Sequence, residues 1–215
     1  MSILVEDWHS AETPAVADAL DRLGKHGQVM NPDIKPIDDK SVLVGFARTI
    51  QFGPGKTQED YDLLMERVVT FLESIKPGEV PVASCGLPNR YTIIGEILAT
   101  AAQERGSPGW VTDGYTRDAK RIREMGYHIF CAGLSPLSFI KRARVLSVDE
   151  PIICAGAPVS PHDMIIGDQD GCVAVPQSCQ SDVYEMLQED LEADRLMRRG
   201  LRDGVALSKV LEHHH

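Results

Sequence analysis

Residues 95–126 read GEILATAAQERGSPGWVTDGYTRDAKRIREMG, and the order of elements in this stretch decides the fold. Ile94, Ile97, Leu98, Ala101 and Ala102 recur at helical spacing. They predict a helix over about 95–104, closed by Arg105-Gly106. Trp110-Val111-Thr112 predicts a strand, residues 113–118 a loop, and residues 119–125 a short helix. A strand over 127–131 follows. Helix and strand alternate here, which is the pattern of an α/β domain.

Working outward, Thr13-Pro14 opens a helix with Thr13 as N-cap and Pro14 in the first turn; Val16, Leu20 and Leu23 form its apolar stripe. Residues 42–52 are β-branched and apolar and predict a strand. Residues 57–76 predict an amphipathic helix, with Tyr61, Leu64, Met65, Val68, Val69, Leu72 and Ile75 on one face. A short strand over 80–84 and a loop over 85–91 lead back to the central stretch. Beyond it the chain turns strand-rich, at 143–148, 152–154, 164–166 and 172–175, with Gly, Pro and Asp in the turns. A last helix is predicted over 181–198, with Val183, Met186, Leu187 and Leu191 inward. The reading is α/β with a central mixed sheet and flanking helices. No repeat or linker divides it.

Composition narrows the function. The chain has 215 residues, 22 Lys+Arg against 32 Asp+Glu and a formal net charge of -10. A nucleic-acid binder normally carries a basic face, and a basic membrane-surface helix needs the same excess, so neither partner is expected. No apolar run approaches the ~18 residues of a membrane span. The five cysteines are odd in number and none shows C-x-x-C spacing, which predicts buried thiols in a reduced, cytoplasmic setting. The start carries no secretory pattern. Residues 211–215, LEHHH, read as a cloning scar and partial purification tag.

Two apparent motifs fail. Gly53-Pro54-Gly55-Lys56-Thr57 ends like a phosphate loop, but the position that needs the first glycine is Ile50, so a strand-to-helix turn is expected instead. No histidine sits in H-E-x-x-H, no G-x-S-x-G elbow is present, and His128 alternates with strand residues as a structural histidine would. Chemistry concentrates between Gly95 and Asp118. The first N–H groups of a helix lack intrahelical acceptors and favour an anion such as a carboxylate. Arg117 supplies a planar fork of donors for a carboxylate or a developing enolate oxygen. Asp118 supplies a hard oxygen suited to Mg²⁺ with a largely hydrated shell. Glu96 can hold a cation-bound water or relay a proton. The competing reading of Asp118 is a plain N-cap on the helix from Ala119.

Glu96, twenty residues, then Arg117-Asp118 resembles the signature of the class II 4-hydroxy-4-methyl-2-oxoglutarate aldolases and their relatives, among them oxaloacetate decarboxylases and the regulator of ribonuclease activity. ADALDRLG near the start, FCAGLSP after the core and DQDGCVAVP near the end extend the resemblance over about residues 10–195. The resemblance implies a swivelling α/β/β fold with a central sheet or barrel, residues 1–210 forming one aldolase-like domain, assembled as a homotrimer or hexamer. It implies a lyase dependent on Mg²⁺ or Mn²⁺ that cleaves a 2-oxo acid through a pyruvate enolate, by retro-aldol cleavage or decarboxylation. Gly95, Glu96, Ile97 and Leu98 would bind the substrate carboxylate, Arg117 the keto acid and enolate, and Asp118 the cation. Glu96 would be catalytic with Arg117, although many members carry Asp there. A neighbouring subunit would supply an acid, with Glu189 and Glu192 as candidates. Asn89, Arg90 and Tyr91 would either read the distal end of a substrate or form a packed surface loop. The alternative function is a non-catalytic regulator that binds a ribonuclease. A methyltransferase reading, attached to some relatives, finds no glycine-rich nucleoside loop.

Overall fold

The computed structural model describes residues 5–86 and 91–211. Its centre is β2 (Leu43–Pro54), a strand long enough to serve two partners along one edge. The first half of that edge pairs antiparallel with β11 (Met164–Gly167). The second half pairs antiparallel with β8 (Ala143–Val148), across a register shift between Gln51 and Phe52. Its other edge pairs in parallel with β3 (Glu79–Ser84), and the parallel run continues to β5 (Gly109–Thr112) and β7 (His128–Cys131). β1 (Lys35–Pro36) joins the far side of β7, while β12 (Cys172–Val175) pairs with β11 at the opposite end.

The chain between these two ends nearly closes the sheet into a barrel. The N–H of Met30 donates to the Cys172 carbonyl at 2.9 Å, and that of Ala174 to the Gln28 carbonyl at 3.0 Å. A few residues later, Lys35 stands opposite Cys131 and Pro36 opposite Phe130. Leu43, Val80, Val82, Val111, Phe130 and Ile165 fill the interior. Cys154 and Ala157 join that core from a hairpin of β9 (Ile152–Cys154) and β10 (Ala157–Val159). The parallel strands are buried on both faces, which explains why they read as continuous apolar runs.

Helices α2 (Gln58–Glu73), α3 (Glu96–Gln103) and α4 (Ala119–Met125) cover one outer face, sharing a core with Phe71, Trp110 and Ile122. Helices α1 (Thr13–Arg22) and α5 (Gln180–Arg202) cover β11 and β12 around Trp8, Leu20 and Val183. The α5 helix runs past the expected residue 198, and a short α6 (Leu207–Leu211) follows. The expected α/β class with a central mixed sheet or barrel and flanking helices is therefore observed. Among the described residues no helix is long and apolar enough to cross a membrane.

Several local expectations change. The Gly-Lys-Thr turn is a capping box: the N–H of Asp60 donates to Thr57 Oγ1 at 3.1 Å, and that of Thr57 to the Asp60 carboxylate at 3.0 Å. On α2, Phe71 replaces Met65 and Val69 on the buried face, the latter two being exposed. Leu191 of α5 is also exposed, because the helix has left the sheet by that point. Thr13 is not the N-cap of α1. It is the first helical residue, and both its N–H and its hydroxyl donate to Asp168, 155 positions away, at 2.8 and 2.7 Å. All five cysteines are buried free thiols.

Asp168 thus satisfies an orphan helix donor from across the molecule. Asp168→Ala is expected to lower stability by about 1–2 kcal/mol, the worth of a good cap. Urea unfolding should show a lower midpoint with an unchanged m value.

Candidate functional site

The site is assembled by a pair of very short strands. β4 (Thr92–Ile94) and β6 (Tyr115–Thr116) run parallel, with Thr92 opposite Tyr115 and Ile94 opposite Thr116. The Ile94 carbonyl accepts from the Arg117 N–H at 3.2 Å and from the Thr116 hydroxyl at 2.9 Å. The residue after β4 is Gly95, the N-cap of α3; those after β6 are Arg117 and Asp118, which lead into α4. Pairing the two strands sets the two helix starts side by side. Residues 133–135 flank β6, the Thr116 N–H donating to the Gly133 carbonyl and the Ser135 N–H to the Thr116 carbonyl. Leu134, Ser135 and Pro136 then wall an open depression whose other side is Thr116, Arg117, Asp118 and Ala119.

Gly95 is dictated by close approach rather than by its backbone angles, since φ is -134°. A Cβ there would lie 2.7 Å from Asp118 Oδ2 and 3.0 Å from both Cγ and Nε of Arg117. Asp118 occupies the N-cap position of α4, but its side chain makes no cap bond. Its carboxylate turns instead to α3 and accepts the Glu96 N–H at 3.2 Å. It does so from a left-handed backbone, φ 58° and ψ 26°, which Asp tolerates better than most residues. Strain of this kind persists where surrounding contacts over-determine it, and it clusters at functional sites. The plain N-cap reading of Asp118 is not what the geometry shows.

The four residues expected to hold a carboxylate are not equivalent. The Glu96 N–H is already engaged by Asp118. Among the described residues the N–H groups of Ile97 and Leu98 have no hydrogen-bond partner, so they are the available anion donors at the positive end of α3. The Ile97 side chain, expected inward, is 75% exposed, and the buried positions of α3 are Ala99 and Ala102. Arg117 Nε stands 3.6 Å from Asp118 Oδ2, and both side chains are 43% exposed. Glu96 extends away to Arg121, Oε2 to Nη1 at 2.6 Å, and this bond holds the Arg121 guanidinium more firmly protonated. Sequence reasoning missed Arg121. Its place one helical turn after Arg117-Asp118 was visible, but its partner was not.

Asp113 was also missed as more than a loop residue. Its buried carboxylate accepts the Ser84 hydroxyl at 2.9 Å and the Cys85 N–H at 2.6 Å, tying the ends of β3 and β5 together. Burial, then the neighbouring Asp113, pushes the Cys85 thiol up, so it is no nucleophile. Burial pulls His128 down, consistent with a structural histidine. Tyr91 is buried and its hydroxyl donates to the Gly53 carbonyl at 3.3 Å, as the packed-loop reading expects of it; Asn89 and Arg90 lie outside the described residues. Glu192 pairs with Arg195 on α5 at 3.8 Å, and Glu189 is exposed on the same helix.

Asp118 fits a hard divalent cation. It is one carboxylate with an exposed face, held in a cradle that only glycine at position 95 leaves open. Among the described residues no group of three or more His, Cys, Asp or Glu could share an ion. A cation here would therefore keep most of its water, as Mg²⁺ readily does.

A family model described as RraA-like, Aldolase/RraA, matches residues 13–174. A Thermus thermophilus protein named 4-hydroxy-4-methyl-2-oxoglutarate aldolase is 27% identical over 158 residues, 74% of this chain and 90% of its own. A Halalkalibacterium halodurans protein that carries the same name provisionally is 27% identical over 209 residues, 97% of this chain and 93% of its own. Among solved structures, Streptomyces coelicolor RraAS2 is described as an unusual member of the RNase ES inhibitor RraA protein family. It superposes with a TM-score of 0.80 at 27% identity, over 90% of this chain and 94% of that one. A protein from Pseudomonas syringae pv. tomato gives a TM-score of 0.82 at 26% identity, covering 96% and 95%.

Gly95→Ala is expected to fold, since its backbone angles suit any residue, while pushing the Asp118 carboxylate off the start of α3. A crystal structure of the variant should show the Glu96 N to Asp118 contact stretched beyond about 3.5 Å, outside hydrogen-bond range.

Proposed function

The chain belongs to the Aldolase/RraA family, and from that premise we propose that it is a divalent-cation-dependent lyase acting on a 2-oxo acid. The observation that carries the reading is the Asp118 carboxylate, declined by its own helix and held beside Arg117 under Gly95. The aldolase names of relatives at 27% identity support the reaction class. When bound at Asp118, Mg²⁺ or Mn²⁺ supplies Lewis acidity toward the keto oxygen.

The protein's own groups do the rest. The N–H groups of Ile97 and Leu98 receive the carboxylate next to the keto carbon. Arg117 donates its guanidinium hydrogens to the oxygen that gains charge as the C–C bond breaks. In decarboxylation the electron pair of the broken bond stays on the pyruvate fragment as an enolate, and the other fragment leaves as CO₂. In retro-aldol cleavage the same pair stays behind while the hydroxyl proton passes to water and the other fragment leaves as a carbonyl compound. Both end when the enolate carbon takes a proton from water.

The site lies open beside exposed apolar side chains: Ile97, in the first turn of α3, is 75% exposed, and Leu134, on the wall of the depression, 55%. Such a patch beside a polar site marks a protein contact. It supports a homotrimer or hexamer in which a neighbouring subunit covers the site and contributes an acid, Glu189 and Glu192 of α5 being the candidates.

The likeness to RraAS2 favours a second reading, a regulator that binds a ribonuclease. Retention of the Asp118 carboxylate, turned away from its own helix, favours the enzyme. Oxaloacetate decarboxylation that vanishes in EDTA and returns with excess Mg²⁺ supports the lyase. Absence of turnover on several 2-oxo acids, with binding to a ribonuclease, supports the regulator.

Two substitutions test the roles. Asp118→Ala should abolish cation-dependent turnover and cost about 1–2 kcal/mol in unfolding, because the Glu96 N–H loses its acceptor and alanine takes the left-handed backbone less readily, while the chain stays folded. Arg117→Lys should lower kcat by about 10²-fold, the scale of a lost oxyanion donor, with a smaller change in KM.

A further inference from the structure

Glu96 and Arg121 form an ion pair that the proposed reaction leaves unused. Glu96 opens α3 and Arg121 lies in the first turn of α4, so the pair bridges the two helix starts that flank Asp118. Both residues already touch Asp118 through their backbones. The Glu96 N–H donates to Oδ2 at 3.2 Å, and the Arg121 N–H donates to the Asp118 carbonyl at 3.0 Å. Their side chains turn to each other, at 2.6 Å. The carboxylate is the more sheltered partner, 29% exposed against 68% for the guanidinium. An Asp at this position would be one carbon–carbon bond shorter, about 1.5 Å, and would set its carboxylate back from Arg121 on the same backbone.

We propose that Arg121 is a positioning residue: by holding Glu96 it withholds that carboxylate from the divalent cation and leaves Asp118 as the cation's single carboxylate ligand. The inference rests on the cation reading of Asp118. A free glutamate at the helix start would add a second hard oxygen ligand and displace water from the ion. Pairing prevents this and keeps coordination positions open for a keto acid. It also sets the local charge. Glu96 cancels Arg121 and Asp118 cancels Arg117, so the charge of the cation stays uncompensated within a chain of net charge -10, and it is available to an anionic substrate.

Mn²⁺ binding to the intact chain, read from the spectrum of the free ion by electron paramagnetic resonance, tests the proposal. Arg121→Ala should tighten binding by about three- to fivefold, the release expected of an exposed pair. Glu96→Gln alone should change it less than about twofold, and the double variant should return to within about twofold of wild type, as coupling through Glu96 requires. Arg121→Lys should restore wild-type affinity. Unchanged binding in Arg121→Ala overturns the proposal, as does tightening that persists in the double variant, since that would be a simple loss of nearby positive charge. Weakening of about tenfold or more in Glu96→Gln alone also overturns it, because Glu96 would then be a ligand. A wild-type chain that binds no Mn²⁺, or binds it no better than Asp118→Asn, overturns instead the cation reading of Asp118.

Discussion

One carbonyl holds the site together. The oxygen of Ile94 takes both the Arg117 N–H and the Thr116 hydroxyl, and this fixes the exit of β4 against the exit of β6. Every other feature of the site follows from that contact. It brings the start of α3 within hydrogen-bond reach of Asp118, and that leaves no room for a Cβ at position 95. It sends Asp118 into a left-handed turn, from which the carboxylate faces α3 rather than its own helix. A two-residue strand contributes little stability alone. β6 is held because residues 133–135 flank its other side and Asp113 anchors the chain just ahead of it.

The barrel supplies the rigidity. Parallel strands β3, β5 and β7 end on one rim, and the site segments grow from that rim. Ligands of open α/β sheets gather at such carboxyl ends because the loops there are held at one end by a packed core. In the reaction we propose, the binding groups are mostly backbone N–H donors and two charged side chains, so that chemistry would depend on where the chain is placed more than on which side chains it carries. Streptomyces coelicolor RraAS2 keeps the same fold at 27% identity.

Long elements were legible in the sequence because they repeat their signal. The apolar spacing of α2 survives although Phe71 takes the place of Met65 and Val69, since a 16-residue helix offers several turns from which to find its buried face. β2, β3, β5 and β7 were legible as apolar runs because both of their faces are covered. β1, β4, β6 and β10 were not, since two or three residues cannot display a period and form only when a distant partner arrives. The same limit hid the site's wiring. Arg117 and Asp118 could be picked out from their residue types, whereas the partnership of Glu96 with Arg121 depends on how two helix starts are juxtaposed. The cap on Thr13 failed for the same reason, because its acceptor lies 155 residues on.

That distant cap bears on how the chain is made. The segment that nearly closes the barrel, residues 28–36, finds its partners in β12 and β7, and α1 is held by Asp168. A ribosome delivers Thr13 first, yet the Asp168 that holds it emerges 155 residues later. The first helix must therefore wait as a short amphipathic segment, and isolated helices of its length are marginal in water. The chain has to be made as far as β12 before the barrel can shut, so a chain released before β11 would expose the unpaired edge of β2 to its neighbours.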